Sequence, residues 1–254
     1  MGVEMCAWEH VAERSRRYRR GMDPERTDPQ QTALSAFATA VTGDPTNVAL
    51  DEAALSMSAV LQPGLDVIGW LATIDDIAAR CATPTRDGVV AHVCSEMGFV
   101  GDRTTYGDWR NSCLDQVIAQ HRGIPITLSV LVIEVARRVG VQLAGVGMPA
   151  HFLVGDPADP EWFADPFDGG TRLDRAGCRS LLEQLTHRQV PWHDSYLAPT
   201  PNRLVIARML NNLRNAFTQR PDPVRLALVM RLRQAVPELA TEPVEAARAQ
   251  APLN

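Results

Sequence analysis

The run Gly123-Ile124-Pro125-Ile126-Thr127-Leu128-Ser129-Val130-Leu131-Val132-Ile133-Glu134-Val135-Ala136-Arg137-Arg138-Val139-Gly140 constrains the rest of the chain most, because a helix built from it has almost no polar face. Pro125 suits the first helical turn, where a backbone N–H would have no partner and the fixed φ already fits. Arg137 and Arg138 suit the last turn, where the free carbonyls carry partial negative charge, and Gly140 can take the left-handed conformation that ends a helix. Leu128, Leu131, Val132, Val135 and Val139 recur at three- and four-residue steps. Val130 and Ile133 widen that stripe until little but Glu134 and the two arginines is polar. Such a helix has to be buried nearly all round.

Three short β-rich runs follow, at residues 141–147, 151–155 and 162–165, separated by Met148-Pro149-Ala150 and by the Pro- and Asp-rich residues 156–161. A buried helix followed by an antiparallel meander is the simplest arrangement. The chain has 254 residues and is 45 % hydrophobic, enough for one sizeable core with helical additions. No run reaches the roughly 18 apolar residues of a membrane span, and the N-terminus lacks the apolar stretch of a signal peptide, so the expected location is cytoplasmic.

The order of helix, His-led strand and Asp-ended strand resembles the transglutaminase-like, papain-related fold. Four segments are similar in wording to one branch of it, the SirB1-like bacterial family: Asn111-Ser112-Cys113-Leu114, residues 122–129, residues 145–154, and Asp165-Pro166-Phe167-Asp168-Gly169-Gly170. The likeness continues less sharply into Glu96-Met97-Gly98-Phe99 and Arg208-Met209-Leu210-Asn211-Asn212-Leu213, covering roughly residues 44–239. It implies an α+β fold: an N-terminal helical layer, a transglutaminase-like core of a buried helix plus antiparallel sheet, and a C-terminal helical hairpin like a single tetratricopeptide unit. One such unit cannot bury itself and must dock on the core or on a partner. The expected division is a basic, polar leader at 1–32, a helical region at 33–100, the core at 101–198, the helix pair at 199–240 and a frayed tail at 241–254.

In active members of that superfamily a cysteine opens the buried helix, where free N–H groups lower its pKa; a histidine on the next strand takes its proton and an aspartate orients the histidine. The resemblance carries two of the three onto this chain, His151 and Asp165, and sets Pro125 in the nucleophile's place. Proline has neither thiol nor hydroxyl. Thr127 and Ser129 lie in the first turn, where their simpler role is bonding free backbone groups. Cys113 is the candidate relocated nucleophile, against the plainer reading of a small buried apolar residue. Asn111, Arg122 and Pro125 are expected to line whatever the His–Asp pair faces.

Other features weigh less. Cys6, Cys81, Cys94, Cys113 and Cys178 are widely spaced, which indicates neither a disulfide framework nor a zinc site. The chain contains no lysine, excluding a phosphate-loop lysine or a Schiff base. A net charge of −5 disfavours nucleic acid as a partner, with one weak exception at the basic run Arg14-Ser15-Arg16-Arg17-Tyr18-Arg19-Arg20; translation starts at Met1 or Met22. Asp75 and Asp76, with Asp66, are expected on a solvated helix face, and His92 within a helix over 88–97 as a packed ring. The reading is a non-catalytic transglutaminase-like domain, a pseudoenzyme, that needs no cofactor or metal and binds a peptide or protein partner. The alternative is an amide hydrolase or acyltransferase in which Cys113 or a hydroxyl serves His151 and Asp165.

Overall fold

The computed structural model describes residues 28–240; the basic run Arg14–Arg20, Met22 and the tail from 241 lie outside them. Helix α1, Pro29–Ala40, starts four residues before the expected helical region, inside the expected leader, because the Asp28 side chain accepts from Gln30 N and Pro29 takes the first helical position. Helices α2, Leu50–Leu61, and α3, Val67–Ala79, complete a layer in which α2 is buried from Ala53 through Leu61. Its small residues, Ala53, Ala54, Ser56, Ser58 and Ala59, let α1 approach closely on one side and α3 on another. The helix expected over 88–97 divides into α4, Arg86–Ala91, and a π-helical turn, His92–Glu96. Across that turn the His92 ring bridges Ile77 O at 2.9 Å and Glu96 Oε2 at 2.7 Å, so the histidine is packed and satisfied.

A two-stranded parallel pair, β1 at Val100–Gly101 and β2 at Arg122–Gly123, flanks helix α5, Leu114–Gln120. The apolar run then forms helix α6, Pro125–Arg138, buried at every position from Pro125 to Ala136. The meander follows as a four-stranded antiparallel sheet in sequence order: β3, Ala144–Val146; β4, Leu153–Asp156; β5, Asp159–Asp165; β6, Thr171–Leu173. The spacer at 156–161 is shorter than expected: Pro157 and Ala158 make the turn, and Arg86 clamps its two shoulders, reaching Asp156 at 2.7 Å and Asp159 at 2.9 Å. The sheet's alternation decides its layers. Phe152, Val154, Trp162 and Ala164 join the main core with α6, whereas Val146, Leu153 and Phe163 face a second cluster with Cys178 beneath helix α7, Arg175–Leu185.

Helix α8, Asn202–Gln219, and helix α9, Pro223–Gln234, form the hairpin, and they dock on the core, against α2 and α6 for α8 and against α1 and α2 for α9. One apolar cluster therefore runs continuously from Ala33 to Leu239. The architecture is α+β, with helices at both ends of the sequence around a helix-plus-antiparallel-sheet centre. Among the described residues no helix is long and apolar enough to cross a membrane.

Candidate functional site

Asp165 is the last residue of β5, as expected, and His151 lies before β4 rather than at its head. The reason is a staple from far along the chain. Arg208 on α8 donates from Nη2 to the carbonyls of Met148 and His151, each at 2.8 Å, and Ala150 takes a left-handed φ of 60°, so residues 148–151 form a turn and the ladder begins at Leu153. The guanidinium sits over the Phe152 ring, and burial pulls its pKa down while the nearby Tyr106 pushes the other way.

The two buried side chains meet. His151 Nε2 lies 2.8 Å from Asp165 Oδ2, and Asp165 Oδ1 accepts from Phe167 N at 3.0 Å. Nδ1 of His151 makes no hydrogen bond among the described residues. The 3-10 turn Pro166–Asp168 sets the Phe167 ring edge-on to His151, with centroids 6.0 Å apart, and Tyr106 edge-on to Phe167 at 5.9 Å. Phe167 reaches this position only because Gly101 has no side chain: a Cβ there would lie 2.5 Å from the ring. Helix α6 packs against both this turn and β4.

The remaining candidates are placed as follows. Pro125 is the first residue of α6, after Ile124, which provides no side-chain cap. Thr127 and Ser129, expected to bond backbone groups, instead bury hydroxyls that have no hydrogen-bond partner among the described residues; both lie at the packed N-terminal half of α6. Asn111 is buried and donates to Asp102 Oδ2 at 3.1 Å and Thr105 O at 2.8 Å, so it ties down the loop that carries Tyr106. Burial would raise the Asp102 pKa, but donors from Thr105, Asn111 and Thr104 outweigh it and hold the carboxyl at about 2. Arg122 is exposed on β2.

Cys113 is fully buried, and the groups that act on its thiol are Asp115, Ser58, Asp108 and Arg110 rather than the His–Asp pair. Burial pushes this thiol far above its ordinary range. The thiols that do feel Asp165 are Cys94 and Cys178, both pushed up to about 12, first by burial and then by neighbouring carboxylates. No local signal in the sequence marks Cys94, whose Sγ lies against Gly170 at the end of the Asp165–Gly170 segment. The sequence likewise marks no role for Arg208 or Phe167, although both fall in segments that resemble the family, nor for Tyr106. Among the described residues no group of three or more His, Cys, Asp or Glu side chains is placed to hold a metal ion.

A family model described as the transglutaminase-like superfamily matches residues 70–211, from α3 into α8 and across more than half of the chain. The chain belongs to the transglutaminase-like superfamily. Within the superfamily it is similar to members of an uncharacterised bacterial family. A UPF0162 protein of Xylella fastidiosa is 40 % identical over 131 residues, 50 % of this chain and 46 % of that protein. A UPF0162 protein of Pseudomonas aeruginosa is 28 % identical over 205 residues, 78 % of this chain and 73 % of that protein. F-box only protein 21 of Mus musculus is 41 % identical over 98 residues, 35 % of this chain and 16 % of that protein. The chain spans about half the length of the Xylella relative. No solved structure matches it.

Proposed function

We propose that this chain is a SirB1-like, non-catalytic transglutaminase-like domain that binds a peptide or protein partner, with its C-terminal hairpin serving as a tetratricopeptide-like helix pair. The observation that carries the reading is Pro125 at the first position of α6. In this superfamily that position belongs to the nucleophile, and proline cannot attack a carbonyl carbon. The neighbouring hydroxyls of Thr127 and Ser129 are buried and unpaired, with no base to remove a proton. Cys94, Cys113 and Cys178 are held protonated by burial. His151 and Asp165 then act as a hydrogen-bonded tie between the turn before β4 and the end of β5.

One observation favours a second reading, an amide hydrolase or acyltransferase with a relocated nucleophile such as Cys113: Asp165 engages Nε2 and leaves His151 Nδ1 without a bond among the described residues. Iodoacetamide alkylation with mass-spectrometric mapping, in the natural chain and in His151→Ala, separates the two. The non-catalytic reading expects every thiol to react at the rate of an unactivated group in both proteins. Rapid modification of Cys113 or Cys94 near neutral pH, slowed by His151→Ala, would overturn it.

A further inference from the structure

At the C-terminal end of α6, away from His151, a cleft of about 600 Å³ opens between α6, the segment before α2, β3 and the chain entering α8. That volume lies within the roughly 300–1,000 Å³ usual for ligand sites. Its floor holds Glu134, whose side chain is 2 % exposed. Three donors converge on one oxygen of this carboxylate: Arg137 Nε at 2.8 Å, Arg137 Nη2 at 2.7 Å and Arg138 Nη1 at 2.9 Å all reach Oε2. Oε1 of Glu134 and Nη1 of Arg137 make no hydrogen bond among the described residues. A buried acceptor and a half-exposed donor therefore stand side by side. An ammonium ligand would meet the Arg137 charge and a phosphate would meet Glu134, whereas an amide offers N–H to one and C=O to the other.

The cleft wall supplies a second, independent feature. Thr200 N donates to Gly145 O at 2.8 Å and Gly147 N donates to Thr200 Oγ1 at 3.0 Å, so the chain before α8 covers the outer edge of β3 at Gly145 and Gly147. Outward-facing backbone positions alternate along a strand, which makes Leu143 the next one. Leu143 lines the cleft and makes no backbone hydrogen bond among the described residues. Leu143, just before β3, is thus one outward backbone position left uncovered among the described residues, between Val141, whose N–H is bonded to Ala136 O, and Gly145, and such an edge position beside a pocket is where an added peptide strand can pair.

We propose that this cleft takes an extended peptide segment, which adds to the β3 edge at Leu143 and sets one peptide amide between Glu134 Oε1 and Arg137 Nη1. The inference rests on the partner-binding reading above and moves the contact from the His–Asp pair to the opposite end of α6. The test is NMR titration of the full chain with a blocked valine–alanine tetrapeptide and with the same peptide methylated at every backbone nitrogen. Saturable shifts at Leu143, Gly145 and Arg137 are expected, about tenfold weaker with the methylated peptide and in Leu143→Pro. If Leu143→Pro fails to fold, the comparison of the two peptides on the natural chain decides. Equal binding of both peptides overturns the assignment. Shifts confined to Tyr106, Phe167 and His151, or a protein silent to both peptides, overturn the cleft while leaving the partner-binding reading to the alkylation test.

Discussion

The two ends of α6, roughly 20 Å apart by helical rise, solve the same problem differently. At the C-terminal end Arg138 contacts Asp51 at 2.7 Å, Asp75 at 2.5 Å and Glu134 at 2.9 Å, and Arg137 shares Asp51 and Glu134. At the N-terminal end Pro125 brings no charge, and the buried hydroxyls of Thr127 and Ser129 are unpaired. The difference follows from cost. A buried ion without its partner is too expensive to keep, so the charged end is held by several contacts at once; a neutral hydroxyl without one is tolerable. The C-terminal end locks the α2 and α3 layer to the core. The N-terminal end is where the superfamily keeps its chemistry, and here it carries two unpaired buried hydroxyls and no charge.

Breaking the locked end has the largest expected effect. Arg138→Met leaves buried Asp51 and Glu134 with one guanidinium instead of two among the described residues, and should cost about 3–5 kcal/mol of unfolding free energy in a urea titration. A loss below about 1 kcal/mol would mean that the network is replaceable by apolar packing. The next effect sharpens the contrast through pH. Burial, and then the Asp51 charge, raise the Glu134 pKa from 4.5 to about 7 against the opposing pull of Arg137 and Arg138. A carboxyl whose folded pKa is raised holds its proton longer when folded, so its ionisation subtracts stability as pH rises from about 4.5 to about 7, and the penalty is absent below that window. The expected fall is about 1–3 kcal/mol, measured as the midpoint shift between pH 5 and pH 7.5; Glu134→Gln should flatten this component. The smallest effect belongs to the neutral end. Thr127→Val removes an unpaired buried hydroxyl at nearly constant volume and should be neutral or stabilising by up to about 1 kcal/mol. A clear destabilisation would reveal a hydrogen bond to that hydroxyl.

The sequence already told this contrast in part. Pro125, the two arginines and Gly140 mark the ends of α6, and the apolar periodicity between them requires its burial. What periodicity cannot carry is a partner far away in the chain. Asp75 reads as one of three solvated carboxylates, yet its partner Arg138 is 63 residues on; Asp66 and Asp76 stay exposed. His151 reads as a strand residue because its neighbours are β-prone; the turn that removes it from the ladder is imposed by Arg208, 57 residues later. Cys113 drew attention by its place in a motif, whereas the thiols that Asp165 influences, Cys94 and Cys178, sit on a π-helical turn and on α7, with no local signal. In the same way Gly101 has an ordinary φ, and its importance appears only when Phe167 is packed against it.

The Arg208 staple couples the imidazole mechanically to the hairpin. Because one guanidinium nitrogen grips the carbonyls on either side of the Pro149–Ala150 corner, any tilt of α8 is transmitted to the backbone that aims His151. Asn202 and Arg203, bonded to Val48 O and Pro45 O, anchor the same helix at its start to the segment before α2. One helix is thus tied at its start to the N-terminal layer and, about two turns on, to the backbone that carries the histidine, which fixes the ring relative to both layers.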